Sequence, residues 1–437
     1  MQISENITKK SLCRDLTEFE RVKGIGFTES LFFLYIFILP LEASEYLTFY
    51  IEFIHVSVVD LLLLALLYMV LIKRIASQSR MSFLPIRFVQ LFMLVIISSL
   101  ISLFYVPWNE NISYDLKMTL NLLEFLAIFY ITADLVRDTS TLKKVLLIFC
   151  TSLLIYSGLT ILKSIGFGIP GYERMSHLQI GPFYVGTVAL LSTVQPYSLM
   201  ILGTFPFVIT DTVIKRLWVR VPIMIILLIC AVLTYSRSLW IGLILQVSLF
   251  FYFTFNTKRN LLKKSVFSGF ATAAIILFGY YFHEIYLFVE GIRPSTFQSR
   301  LHAYDVMLDL VVSDMKLLFF GAGKGSFIQY FYWFSGEESV VHNFLLDILI
   351  SKGLITLFFL SSLLVIIIYN LFKIKKADLS NTTNSYSILF ILSVSGLLME
   401  GMMSPITSSL IFWTYLALAY SFILISGRRR QLSKSYT

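Results

Sequence analysis

Apolar stretches about 20 residues long, the length at which a helix crosses a bilayer, recur through the whole chain and constrain its fold more than any other feature. Twelve of them lie near 28–46, 50–72, 88–107, 117–136, 145–163, 182–210, 219–236, 239–256, 265–282, 343–372, 384–402 and 404–426. In hydrocarbon each backbone N–H and C=O must be satisfied inside its own segment, so such a chain folds as spanning helices. Composition agrees: 57% of the 437 residues are hydrophobic and only 14% are charged, against about 25% charged in soluble domains. The expected fold class is an all-α integral membrane protein with about 12 transmembrane helices. No segment repeats another and no low-complexity linker divides the chain, so 1–437 is expected to be a single polytopic membrane domain.

The formal net charge of +9 is explained by where it sits. Alternate connections carry Lys73, Arg74, Arg80 and Arg87; Arg137, Lys143 and Lys144; Lys215, Arg216 and Arg220; Lys258, Arg259, Lys263 and Lys264; and Lys373, Lys375 and Lys376. The two ends add Lys9, Lys10, Arg14, Arg21 and Lys23, and Arg428, Arg429, Arg430 and Lys434. Cationic loops stay inside, so both termini are expected to be cytoplasmic, with tails at 1–27 and 427–437. Topology accounts for the basic excess, and no nucleic-acid partner is implied. The three cysteines (Cys13, Cys150 and Cys230) have neither disulfide nor metal-ligand spacing.

On the opposite face one connection, 283–342, is much the longest. In it Phe297, Leu301, Tyr304, Leu308 and Val311 recur at spacings of three and four behind Pro294-Ser295, which predicts an amphipathic helix between spans 9 and 10, suited to the outer membrane surface. The segment "FFGAGKGSF" lacks the first glycine and the final Ser/Thr of a phosphate-binding loop, with Leu318 and Gly325 in those places. It reads as a turn that returns the long loop to the membrane.

Three residues on this outer face stand out. Arg237 lies in the tight turn of "LTYSRSLWIGL", Arg300 begins the amphipathic helix, and His342 ends the loop where the tenth span enters. An arginine fork matches phosphate oxygens and stays charged. Two of them suit a diphosphate on a lipid-linked substrate, and a histidine titrating near neutrality suits proton transfer from a hydroxyl. Each residue also has an ordinary reading: a snorkelling arginine, a solvated loop charge and a helix-capping histidine. Asn343 and Asp347 lie one turn apart and are expected to brace the entering helix. Asp60 and Glu124 are expected to pair within the bundle; Lys352 has no assigned role, and Glu400 is a further intramembrane charge.

Taken together, "TYSRSLWIGL", "QSRLHAYDVMLDL", "LFFGAGKGSF" and "VHNFLLDILISKGLI" resemble the O-antigen ligase and O-antigen polymerase superfamily, most strongly over 225–372. The resemblance implies a GT-C-type glycosyltransferase of the bacterial inner membrane, with the long loop on the periplasmic side. Such an enzyme moves a glycan from an undecaprenyl-diphosphate-linked donor to an acceptor glycan, either a lipid-linked repeat or lipid A-core. It implies no metal, nucleotide or other cofactor. Arg237 and Arg300 would clamp the diphosphate, with His342 acting on the acceptor hydroxyl or the leaving group. Tyr304 stands where many relatives carry tryptophan, and the paired arginine loops of some polymerases are not evident. Polymerase and ligase both remain open, and a lipid-linked glycan flippase or other 12-span transporter is the competing class.

Overall fold

The computed structural model of the chain describes residues 26–44, 47–51, 54–76, 84–104, 112–180, 182–191, 193–254, 296–323, 327, 342–376, 381–404, 406 and 409–435. The expected ninth span (265–282), most of the N-terminal tail and the loop segments 283–295, 324–326 and 328–341 lie outside the described residues.

Helix α1 (Phe27–Ile38) runs into a 3-10 turn (Leu39–Ala43) at Pro40. A short antiparallel hairpin follows, β1 (Thr48–Ile51) with β2 (Ile54–Ser57). It leads into α2 (Val58–Ala76), α3 (Ile86–Leu103), α4 (Ile112–Leu135) and α5 (Thr139–Ser164). A second antiparallel hairpin, β3 (Gly171–Ile180) with β4 (Phe183–Ala189), precedes α6 (Gln195–Ile209), α7 (Leu217–Leu233) and α8 (Arg237–Thr254). The remaining helices are α9 (Thr296–Ser313), α10 (Met315–Phe320), α11 (Phe344–Lys376), α12 (Asn381–Gly401) and α13 (Leu410–Ser435).

Among the described residues six helices are long and apolar enough to cross a membrane: α3, α4, α5, α8, α11 and α13; α6 and α7 are shorter apolar helices. The chain is therefore a largely helical, multi-pass membrane protein. Three expected spans take a different form. The first is a 12-residue helix and a 3-10 turn. The second becomes helical only at Val58, because "TFYIEFIHVS" is rich in β-branched and aromatic residues and pairs as a hairpin. The stretch 182–210 divides into a strand and a 15-residue helix. A short apolar run does not by itself distinguish strand from helix, which is why hydropathy merged them.

Local chemistry fixes several helix starts. Asp60 accepts a bond from Ser57 N (2.8 Å) while Ser57 Oγ accepts one from Asp60 N (3.1 Å), a reciprocal cap. Asp138 caps α5 through Ser140 N and Thr141 N at 2.7 and 2.8 Å. Glu42, distant in sequence, accepts from Ser409 Oγ (2.6 Å) and Ile411 N (3.2 Å) and so caps α13. A carboxylate there also meets the positive end of the helix dipole.

Between helices, close approach and hydrogen bonds replace the hydrophobic drive that lipid removes. Gln246 of α8 is fully buried and donates to Leu202 O of α6 (2.6 Å) and Leu392 O of α12 (3.1 Å). Gly396 makes room for it: a Cβ there would come within 2.1 Å of Gln246 Nε2. Gly203 likewise seats the ring of Tyr415, whose hydroxyl bonds Thr204 Oγ1 at 2.5 Å. Around α13, Trp413 stacks on Phe125 (4.5 Å) and Tyr420 on Phe88 (4.0 Å).

Charge divides the bundle into two ends. At one, Arg74 and Arg137 both pair with Asp134, Arg429 reaches Thr139, Arg430 reaches Lys373 O, and Lys375 sits over Phe253. These contacts gather the ends of α2, α4, α8, α11 and α13. The far end holds Glu42 on α13 and the elements that carry Arg237, Arg300 and His342.

Candidate active site

Arg237 is the first residue of α8, half-buried, behind a turn held from several sides. Tyr235 takes a left-handed conformation (φ 53), which costs a non-glycine residue about 1 kcal/mol. Its ring packs edge-on against Trp240 at 5.6 Å, and Trp240 Nε1 donates to Ala231 O at 2.6 Å. Ser236 Oγ accepts from Leu239 N (3.4 Å) and pairs with Ser238 Oγ (3.0 Å). A guanidinium on the first turn of a capped helix adds its charge to the helix dipole, a favourable setting for an anion.

His342 is half-buried and stands just before α11. Asn343 caps that helix: its Oδ1 accepts from Leu345 N (3.0 Å) and Leu346 N (3.2 Å), while its Nδ2 donates to Met402 O (3.2 Å). Tyr304 of α9 donates its hydroxyl to His342 O at 3.2 Å. Arg300 stands four residues before Tyr304 in the same helix. The expected stripe on α9 is modified. Val311 is buried and Tyr304 half-buried, but Leu308 is 46% exposed. The buried face is Ala303, Val306, Met307 and Val311, packed with Ala322, Phe327 and Ile350. Helix α9 thus leans on the start of α11 as well as presenting an apolar side outward.

The end of α12 joins these elements. Glu400, 1% exposed, faces the Ser238 hydroxyl beside Arg237 and accepts from Ser404 Oγ at 3.4 Å. Two residues on, Met402 O receives Asn343. Between them Gly401 lies so close to Phe344 that a Cβ would meet its Cδ1 at 3.2 Å. The structure therefore draws together the start of α8, the end of α12, the start of α11 and α9. Sequence reasoning marked Glu400 only as an intramembrane charge. Its link to Ser238 is long-range and has no local signal.

Residues 321–323, which follow α10, meet a break in α11. Gly353 has φ 78 and ψ 175, so α11 is two helices joined at an elbow. Ala322 N donates to Ile350 O at 2.7 Å, and Gly321 and Gly353 each lie so close to the opposite backbone that a Cβ has no room. The tenth span is consequently a half-helix, 344–352, followed by a membrane-length helix from 354 to 376. His342 precedes the half-helix, outside its helical register. Asn343 caps this element and Asp347 is buried within it. Their direct link is backbone to backbone (Asp347 N to Asn343 O, 2.8 Å), and the Asp347 side chain is buried near Lys352.

Sequence reasoning expects Asp60 and Glu124 to pair within the bundle. Asp60 is bound to Ser57, and Glu124 shares its electrostatic surroundings with both Asp60 and Lys117. Among the described residues no group of three His, Cys, Asp or Glu is placed to hold a metal ion.

Residues 222–361 match the family O-antigen ligase. The matched segment begins in α7, includes Arg237, Arg300, Tyr304, His342, Asn343 and Asp347, and ends in α11 beyond the elbow. No curated protein matches the chain. Through this segment the chain, a multi-pass membrane protein, is similar to the O-antigen ligase family.

Proposed function

We propose that the protein is a glycosyltransferase of the bacterial inner membrane that acts at the periplasmic face. It moves a glycan from an undecaprenyl-diphosphate-linked donor to an acceptor sugar, a second lipid-linked repeat or lipid A-core. The observation that carries this reading is the meeting of the elements bearing Arg237, Arg300 and His342 at the end of the bundle opposite its basic helix ends. With cationic ends inside, that end faces the periplasm, where the lipid-linked donor is displayed.

In the proposed step the acceptor hydroxyl attacks the anomeric carbon and its proton passes to His342. The bond from that carbon to the diphosphate oxygen breaks, and the configuration inverts. Arg237 and Arg300 hold the departing diphosphate, whose charge grows as the bond lengthens. Tyr304 holds the histidine's carbonyl, Asn343 ties the next residue to Met402 O, and Asp347 supports the half-helix behind it.

The break in α11 is also a feature of transporters, which place interrupted helices at the membrane midplane. Here the helix after Gly353 is about 23 residues, roughly 34 Å at 1.5 Å per residue. It is long enough to span alone, so the break falls at the bundle's end. Purified protein in liposomes, given a polyprenyl-diphosphate oligosaccharide and an acceptor without nucleotide, tests the reading. New glycosidic product supports transfer; a lipid that only changes leaflet makes the protein a flippase.

A further inference from the structure

Lys352 has no part in the chemistry above, yet among the described residues it is one of the most deeply placed cations. It is 3% exposed and its Nζ donates to Asp115 O (3.1 Å) and Thr119 Oγ1 (2.9 Å), both on α4. The carboxylates of Asp115 and Asp347, 0% and 1% exposed, lie within its electrostatic reach. The network continues to α3: Thr119 pairs with Ser99 (3.2 Å), and Thr356 donates to Lys352 O and Ser98 Oγ, both at 2.9 Å. Burying an ammonium and two carboxylates is expensive, and each survives only because the others and the hydroxyls are in place.

The position of this network gives it a use. Lys352 is the last residue before the elbow at Gly353, and Asn343 and His342 stand at the other end of the same half-helix. Nine residues at about 1.5 Å each make a stiff arm of roughly 14 Å. The arm is held at its start by Asn343 on Met402 O and along its side by Ala322 on Ile350 O. At the elbow, where rotation of the arm would begin, the side-chain tie to α4 is Lys352.

We infer that Lys352 is a positioning residue: through Asp115 and Thr119 it latches the half-helix 344–352 to α4 and so sets where His342 stands during glycan transfer. The inference rests on the proposed role of His342. Catalysis depends steeply on such placement, and a displacement near 1 Å can cost about a hundredfold in rate.

The full-length protein in nanodiscs tests this with Lys352→Met and Thr119→Val, read by hydrogen exchange and by transfer kinetics. In Lys352→Met, exchange over 344–352 should rise roughly tenfold, while 354–376 and α12 keep their protection. The kcat should fall about a hundredfold with KM for the donor within about twofold. Thr119→Val removes one acceptor and leaves the charges, so it gives a smaller change in the same direction and serves where Lys352→Met does not fold. Unchanged exchange in 344–352 in the folded variants, or a rise spread evenly over α11, overturns the latch. His342→Ala separates the two ideas. If it leaves transfer intact while Lys352→Met still loosens the half-helix, the latch stands and the role of His342 falls.

Discussion

Gly353→Ala is the most informative single change for the architecture. With φ 78 and ψ 175, Gly353 occupies a region essentially closed to other residues, at a cost of about 1–3 kcal/mol for a side chain. The new Cβ would also stand 2.2 Å from Phe319 O, 2.4 Å from Phe319 C and 2.5 Å from Phe320 N. All three are backbone atoms, so no rotamer can relieve the contact, and the loop must part from the elbow. Together these place the loss at about 3 kcal/mol or more. Gly158→Ala is the matched control: a Cβ there meets nothing within 4 Å. Alanine in a helix interior is favoured over glycine by up to about 1 kcal/mol. Apparent melting temperatures in nanodiscs at one heating rate compare the two without requiring reversible unfolding. Gly353→Ala should melt well below wild type and Gly158→Ala at or above it. Equal melting of the two variants would refute the elbow.

Gln246→Leu removes the donor shared by Leu202 O and Leu392 O. It should destabilise by about 1 kcal/mol, the scale of hydrogen bonds between membrane helices, seen as a lowered melting temperature. Asp138→Ala uncaps α5 and should cost about 1 kcal/mol by the same assay, with transfer unchanged once the protein is folded. Tyr304→Phe keeps the ring and deletes the bond to His342 O. A net loss of about 1 kcal/mol at that contact corresponds to a roughly fivefold slower transfer, measured with little change in melting.

Much of this was legible in the sequence because it depends on local chemistry. Long apolar runs gave α3, α4 and α8 to within about five residues of their observed limits. The alternation of cationic connections anticipated the gathering of Arg74, Arg137, Lys375 and Arg430 at one end. What escaped was long-range or conformational. Nothing near Glu42 announces that it caps a helix starting at Leu410, and Lys352 finds its acceptors on α4, 233 and 237 residues away in sequence. Gly353 reads as an ordinary glycine in an apolar helix until the loop backbone packed against it is seen. The hairpins were lost for a different reason: "TFYIEFIHVS" is apolar enough for a helix, and pairing decides its form.

The most direct test of the central claim is the initial rate of glycosidic-bond formation by reconstituted protein, wild type against His342→Ala, with Arg237→Ala and Arg300→Ala in parallel. A polyprenyl-diphosphate glycan serves as the donor. The reading predicts product with wild type and a fall of at least about a hundredfold for His342→Ala, with the arginine variants similarly depressed and all of them folded. Product formed by folded His342→Ala at the wild-type rate would contradict it.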